Sequence, residues 1–445
     1  MHHAKAFQRA MNPIRDNSRA DLEGIFRDAV AAVDAAALVT QALREQWAQH
    51  LAARRLSALA VGKAALPMAA AAHAALTIPP AQAMAIAPVI QSALADLLRA
   101  QGWQLYRGGH PLPDQDSLAA GRAVLAMAAT LGPDDLLLVL LSGGASALMV
   151  APPPGVSLED KLAVTQALLR TRAAISEINT VRKHLSQLKG GRLAAAADGA
   201  EVLTLIVSDV RGNDLTTIGS GPTAPDPSSF EQARGVLIRH KLWGRAPEAV
   251  RSWLEAGMAG EIAESPKPGD PRLRRVRNVV IGDNERALAA AAASARGRGF
   301  EPHLSGDLYG EARAVGRRLA QELAQALPHQ CLLAGGEPLV EVRGSGRGGR
   351  AQELALAAAL ELERLQPARS VALLCAGSDG VDGPTDAAGG FADNGSSGRA
   401  RSRGLDPAAE LARNNSYPVL EAAGDLFKSG ATRTNVADLF IGLVY

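Results

Sequence analysis

The chain has 445 residues, enough for two or three domains with sizeable cores. Forty-seven Lys and Arg stand against 45 Asp and Glu, and the resulting formal charge of +2 gives no electrostatic footprint for nucleic acid or an acidic membrane surface. Aromatic residues make up only 3%, too few for the platforms on which single-stranded bases stack.

In chain order, the opening MHHAKAFQRAMNPIRDNSRA is polar and has no apolar h-region, so no secretory signal is read there and a soluble cytoplasmic protein is expected. Residues 18–47 carry apolar positions at three- and four-residue spacing and predict a helix. Strands are predicted at LSALAV (56–61), AMAIAPV (83–89) and WQLYRGG (103–109), with a helix at 116–130. DLLLVLL (135–141) is a buried strand. The apolar stretch that continues from it to residue 150 is too short to span a membrane and is broken at Ser142-Gly143-Gly144. Helices follow at 158–172 and 176–197, then the strand VLTLIVSD (202–209).

GEIAESPKPGDPRLRR (260–275) has three prolines and no apolar period, which predicts a linker and places a domain boundary at 268/269. A second alternating series starts at 278. It runs through a helix at 310–326, the strand CLLAGG (331–336), a hairpin around Pro338, a glycine-rich loop, a helix and the strand VALLCAGSDG (371–380). TRTNVADLFIGLVY ends as a strand that could return to the first domain. Cys331 and Cys375 sit in apolar runs and read as buried, reduced thiols. Short apolar strands alternating with helices predict two α/β/α domains with mainly parallel sheets, 1–268 and 269–445.

Ligands of such sheets lie beyond the carboxyl ends of the strands. The loops there are Gly62-Lys63, Ser142-Gly143-Gly144, Ser208-Asp209, Gly282-Asp283, Gly335-Gly336-Glu337 and Gly377-Ser378-Asp379. LSGGASALM offers Ser142, Gly143, Gly144 and Ser146 as an anion cradle. GSGRGGR (344–350) offers another through Gly346, Gly348 and Gly349, with Arg350 opening a helix. It is neither a P-loop nor a dinucleotide fingerprint, and a hairpin end with solvated arginines would have the same spacing. Arg182, Lys183 and Lys189 make a cationic stretch beside the long loop 207–226. His110 lies in a proline-rich turn, GGHPLPDQDS. Asp209, Asp379 and Asp382 leave strand ends and could hold Mg²⁺ against a polyphosphate, or act as caps and Asx-turns. This inventory suits phosphoryl transfer, which is mostly positioning and charge stabilisation. The acceptor cannot be read from spacing.

AVGKAA (60–65), GGHPLPD, LSGGASALM, VRKHLSQLKGGRLA, SDVRGNDLTTIGSGPTAPDPSSF, GGEPLVEVRGSGRGGRAQELALA, GSDGVDGPTDAAGG and TNVADL together resemble the class II glycerate 2-kinase family, some of whose bacterial members carry the label hydroxypyruvate reductase. The resemblance implies ATP-dependent phosphorylation of D-glycerate at its 2-hydroxyl, with Mg²⁺, in a cleft between two α/β/α domains. It implies Lys63 and Arg350 as catalytic cations; Ser142, Gly143, Gly144, Ser146, Arg182, Lys183, Lys189, His110, Gly346, Gly348, Gly349 and Glu337, read above from the loops and cations, are then expected around substrate and phosphates. Partners are then small molecules, with no nucleic acid or membrane, and a homo-oligomer is compatible with all of this. Two positions depart from the family pattern, Ala351 for its usual asparagine and Arg433 for its usual glycine, and both are expected at the edge of the site. Replacing Lys63 or Arg350 is expected to reduce turnover and leave stability unchanged. An NAD(P)H-dependent hydroxypyruvate reductase is the alternative, but it wants a GxGxxG after a strand and an acid–base histidine. A sugar-acid sensor on the same scaffold would be favoured by loss of a catalytic cation, and none is lost.

Overall fold

The computed structural model describes residues 13–445 except Ala53 and Asp198, so most of the polar stretch read for a signal lies outside the described residues. Two compact units are formed, one of Ala35–Gly282 and one of the described residues up to Asp34 together with Asp283–Tyr445.

The strands of the first unit are β1 (Arg55–Val61), β2 (Gln82–Ala87), β3 (Gln104–Arg107), β4 (Asp135–Leu141), β5 (Glu201–Val207) and β6 (Val276–Gly282). They make a wholly parallel sheet in the order β3-β2-β1-β4-β5-β6. All seven residues of β4 and of β5 are buried, as continuous apolar runs covered by helices on both faces should be. Capping boxes start the helices at 115–128 (Asp114 with Ser117) and 158–170 (Ser157 with Asp160). Leu59, Val61, Val124, Leu137, Val139 and Ile206 centre the core. A separate cluster of Val164, Leu168, Val181, Phe230, Leu237 and Leu254 joins the helices between 158 and 258. The strand order reverses between β1 and β4, so the loops leaving these two strands flank the switch point where open parallel sheets bind ligands.

In the second unit β7 (Glu301–Asp307), β8 (Gln330–Gly336), β9 (Val371–Gly377), β10 (Gly389–Asp393), β11 (Leu426–Phe427) and β12 (Asp438–Val444) are ordered β11-β10-β9-β12-β8-β7. Only β7 and β8 pair in parallel; β12 runs antiparallel to both β8 and β9, and β10 to both β9 and β11. The expected mainly parallel character thus holds for the first sheet, and the second is mixed. Helices 312–325 and 350–365 provide crossovers, whereas no helix separates β9 from β10, and a strand returning without a crossover must run antiparallel. Cys331 and Cys375 are buried and free, and burial pushes the Cys331 thiol up to about 12. No helix among the described residues is long and apolar enough to cross a membrane.

Several boundaries differ from those read in the sequence. The division falls at 34/35 and 282/283 instead of 268/269, because β6 continues the first sheet in register with β5. The C-terminal strand stays in the second unit, between β8 and β9. The chain passes between units at the other end, where the predicted helix 18–47 breaks after Ala31. Its first part, Pro13–Ala31, packs on helix 284–297, held by Arg298–Asp28 at 3.1 Å and by Thr434 donating to the Val33 carbonyl at 2.6 Å. The helix predicted at 176–197 is two, 175–184 and 192–196, separated by left-handed Gly190 and Gly191. Pro338 lies in no hairpin; a single bridge joins Leu339 to Glu311.

Candidate functional site

At the switch point of the first unit the β1 and β4 exits are locked together. The Lys63 amide donates to the Gly143 carbonyl at 2.8 Å, and the Ala64 amide donates to the Ser142 hydroxyl at 3.1 Å. Ser142 is fully buried, so its hydroxyl braces the neighbouring loop. Gly62, at φ 130°, has to be glycine, since a Cβ there would lie 2.2 Å from the Ser142 oxygen. A Cβ on Gly144 would lie 3.1 Å from the His110 ring and 3.5 Å from Lys63 Cγ. Lys63, His110 and Gly144 therefore converge, with the Lys63 and His110 side chains exposed.

Ser146, two residues further on, collects cations. Arg182 Nη2 donates to its hydroxyl at 2.7 Å, and Lys189 Nζ donates to the same hydroxyl at 2.8 Å and to the Ser146 carbonyl at 2.7 Å. Lys189 lies in the stretch between helices 175–184 and 192–196, just before left-handed Gly190 and Gly191. Lys183 does not join them: its ammonium pairs with buried Asp226 at 3.2 Å, which makes it a structural ion pair. Burial alone would raise the Asp226 carboxyl, but Ser228 and Lys183 hold it below the usual range.

In the second unit Arg350 begins helix 350–365. Its Nε and Nη2 donate to the two oxygens of Asp438 at 2.7 and 2.9 Å, and Nη1 donates to Glu337. Burial opposes the charge on Arg350, yet Asp438 and Glu337 outweigh it and raise its pKa. Asp438 is 1% exposed, and burial raises its own pKa against the pull of Arg350.

Several amides of the glycine-rich loop are used within the chain. Gly346 donates its amide to the Arg413 carbonyl at 3.1 Å, while the amides of Arg343 and Gly344 donate to Asn414 Oδ1 at 2.6 and 3.1 Å. A Cβ at Gly346 would lie 2.6 Å from the Arg413 carbonyl oxygen; at Gly348, 2.2 Å from the Ser416 hydroxyl; at Gly349, 2.2 Å from the Asp382 carboxyl carbon. What these glycines admit is the chain's own segments, the turn 413–416 and the acidic loop. The Gly346 amide is thereby taken by the chain itself, and the lack of a side chain at all three glycines serves internal packing. Ala351 is fully buried in the core of this unit, in the helical turn that Arg350 opens.

Asp382 is likewise committed. Its oxygens accept the amides of Ala351 at 3.1 Å and Gln352 at 2.8 Å, capping the first turn of the helix. Asp379 accepts the Val381 amide at 3.1 Å in an Asx-turn and is half-buried, as is Asp209 beyond β5 in the other unit. Among the described residues no three His, Cys, Asp or Glu are grouped to hold a metal.

Burial first, and then the charge of Asp438, pushes Asp382 up to about 7 from 3.8, against the two capping amides and Arg350. The unfolded chain therefore ionises this group first. Its contribution to stability falls as pH rises between about 4 and about 7 and is flat above. Asp382→Asn removes that titration and keeps one acceptor for the cap. The denaturation midpoint of the variant relative to wild type should climb between about pH 4.5 and about pH 8; a difference independent of pH would show that Asp382 titrates normally.

Arg433 is exposed and left-handed, at φ 66°. A non-glycine residue pays about 1–2 kcal/mol there, against about 0.4–1 kcal/mol of unfolded-state entropy for glycine. Arg433→Gly should stabilise the protein by up to about 1.5 kcal/mol in chemical denaturation, and a destabilised variant would mean that the arginine makes a compensating contact.

Sequence reading missed Asp438, Ser220 and Asn179. Asp438 had a signal, as the one charge at the head of the apolar run DLFIGLV. Ser220 bonds Ser146 at 2.8 Å and Asn179 at 3.3 Å, and only the folded loop reveals that contact.

A family profile described as a domain of unknown function (DUF4147) matches residues 21–255, and the MOFRL family matches 330–438. The chain is 39% identical over 350 residues to the D-glycerate 2-kinase of Thermotoga maritima, covering 77% of this chain and 80% of that one. It is 38% identical over 438 residues to a protein of Agrobacterium vitis named as a hydroxypyruvate reductase, covering 95% and 94%. A crystal structure of glycerate kinase from Thermotoga maritima superposes with a TM-score of 0.82 at 37% identity, covering 96% of this chain and all of that one. Sequence and architecture thus agree across both units, and the chain belongs to the class II glycerate 2-kinase family.

Proposed function

We propose that the protein transfers the γ-phosphoryl group of ATP to the 2-hydroxyl of D-glycerate in the cytoplasm, giving 2-phosphoglycerate and ADP. The hydroxyl oxygen forms a bond to the γ-phosphorus, the bond from that phosphorus to the β–γ bridging oxygen breaks, and the hydroxyl proton is released. The observation that carries this reading is the β1 exit. The strand order is that of dinucleotide-binding sheets, yet the first turn reads Gly62-Lys63-Ala64-Ala65, with a lysine beside Gly144 where a dinucleotide site would have its glycine fingerprint. A cation there stabilises charge on a phosphoryl group in flight, and the turn lacks the glycine pattern that a hydride-donating dinucleotide needs.

In this reading Lys63 and Arg350 are the catalytic cations, and Ser146, Arg182, Lys189, His110 and Gly144 line the substrate side of the first unit. Glu337 acts through Arg350. Asp209 in one unit and Asp379 in the other are each candidates for Mg²⁺, a metal that takes one or two carboxylates and completes its shell with phosphate oxygens and water. Bound there, Mg²⁺ would neutralise the β- and γ-phosphate oxygens. Phosphorus NMR of a reaction with D-glycerate, ATP and Mg²⁺ should show 2-phosphoglycerate. Accumulation of 3-phosphoglycerate would overturn the regiochemistry, and NADH consumption with hydroxypyruvate but no phosphorylation would overturn the class.

A further inference from the structure

The charges of the first unit do not balance locally at one place. Arg182 and Lys189 both donate to the Ser146 hydroxyl, at 2.7 and 2.8 Å, and Lys161 donates to the carbonyls of Arg182, at 3.1 Å, and Leu185. Every one of these acceptors is a neutral oxygen. Among the described residues no carboxylate pairs with any of the three cations, although Lys161 is 3% and Lys189 2% exposed. Two other buried cations are matched: Lys183 has Asp226, and Arg313 has Glu353. Buried cations ordinarily require a partner, so this cluster lacks an anion that those two have.

We propose that Arg182 receives the carboxylate of the acid substrate and, with Ser146 and Lys189 behind it, determines specificity for a 2-hydroxy acid. The inference rests on the kinase reading for the identity of the substrate.

The hydrogen bonds dictate which group is open to it. Ser146 Oγ accepts from two cations, so its own proton goes to Ser220 Oγ, 2.8 Å away, and the Ser220 proton goes to Asn179 Oδ1 at 3.3 Å. Ser146 then has no free lone pair, and Lys189 is sealed beneath it. Arg182 is half-buried and uses one donor of its fork, which leaves an edge for the two oxygens of a planar carboxylate. A single open guanidinium edge suits one singly charged group better than a polyphosphate. The relay is held rigid: Gly219, Ser220 and Gly221 are consecutively left-handed, at φ 58°, 64° and 63°, and strain of this kind in a non-glycine residue persists where the surroundings enforce it. Burial, with the neighbouring cations adding to it at Lys189, holds the pKa values of Lys189 and Arg182 below their usual ranges, a cost that a bound anion removes. The position is also apt, since Ser146 follows Gly144, against which Lys63 packs.

The test is calorimetric titration of D-glycerate and, separately, of ADP into wild type and Arg182→Met, alongside steady-state kinetics. Arg182→Met should weaken glycerate binding about 10- to 100-fold, leave ADP affinity unchanged, and lower kcat/KM mainly through KM. If ADP affinity falls while glycerate affinity stays, the cluster serves nucleotide phosphate and the proposal is overturned; unchanged binding of both overturns it too. Should Arg182→Met fail to fold by circular dichroism, Ser146→Ala replaces it, with about a tenfold weaker glycerate affinity expected and an unchanged one overturning the proposal. Wild type that binds glycerate through Arg182 without phosphorylating it would sink the kinase reading and leave the carboxylate site standing. Glycerate phosphorylation with an unaltered KM in Arg182→Met would do the reverse.

Discussion

Arg350→Ala is expected to lower turnover about 10²–10³-fold and, at the same time, to destabilise the protein. The first effect follows from the phosphoryl group in transfer, whose equatorial oxygens gather charge that a positioned guanidinium stabilises. The second follows from Asp438. Its carboxylate is 1% exposed and loses both donors of its bidentate partner, which leaves a buried charge beside Asp382. Breaking a fully buried pair costs about 3–5 kcal/mol. Here the loss should be smaller, because the Arg350 side chain is 32% exposed and Asp438 can take up a proton. Proton uptake fixes the sign of the pH dependence. Burial already raises Asp438 above 3.8, so the loss should be greatest at alkaline pH and shrink as pH falls and the carboxyl is neutralised. Arg350→Lys keeps a charge near Asp438 but not two parallel donors, so turnover should fall nearly as far while stability recovers in part. Denaturant midpoints at two pH values beside single-turnover rates would check this. An alanine variant with wild-type stability at alkaline pH would contradict the pairing, and one keeping a third of wild-type turnover would remove Arg350 from the chemistry.

Lys63→Met should show the other combination, a loss of about 10²–10³-fold in turnover with stability changed by no more than about 0.5 kcal/mol. The loop around Lys63 is built by backbone: its amide is bonded to the Gly143 carbonyl, and Gly62 takes the conformation that a side chain would forbid. The Lys63 side chain is exposed, so methionine, similar in length and uncharged, deletes the charge and leaves the turn intact. Rapid-quench measurement of the phosphoryl-transfer step would locate the defect. A loss confined to KM for ATP would make Lys63 a binding residue, and activity lost only together with folding would make it structural. Comparing the two variants separates a cation paired with a buried carboxylate from one whose side chain is exposed. The sequence expectation that neither would affect stability is reversed for Arg350 by its contact with Asp438.

Much of the first unit was legible because it is governed by short-range rules. β1, β4 and β5 are mostly apolar runs with few alternatives to a buried parallel strand, and their exits at Gly62-Lys63, Ser142-Gly143-Gly144 and Ser208-Asp209 follow from where the apolar runs stop. The mixed second sheet was less legible, since the direction of β10 and the seat of β12 depend on pairing across long separations that no local pattern encodes. The helix read across residues 18–47 was apolar at the right period throughout. Period alone does not tell which core each half packs on, so the break at 32–34 stayed hidden.

The candidate site divides in the same way. By itself the sequence determined the residue types at the strand exits, the places where glycine was obligatory, and the motifs that carry the family, because these depend on chain geometry and local order. Only the tertiary structure decided what each glycine makes room for and which charges are already paired. Gly346, Gly348 and Gly349 admit the chain's own segments, Asp382 caps a helix, and Lys183 neutralises Asp226. Arg350 is bound to an aspartate 88 residues away, while Arg182 and Lys189 meet at Ser146, 36 and 43 residues away, with no acid between them. The reason is electrostatic: whether a charge is available to a ligand depends on which opposite charge the fold brings within a few ångströms, and sequence separation carries no information about that distance.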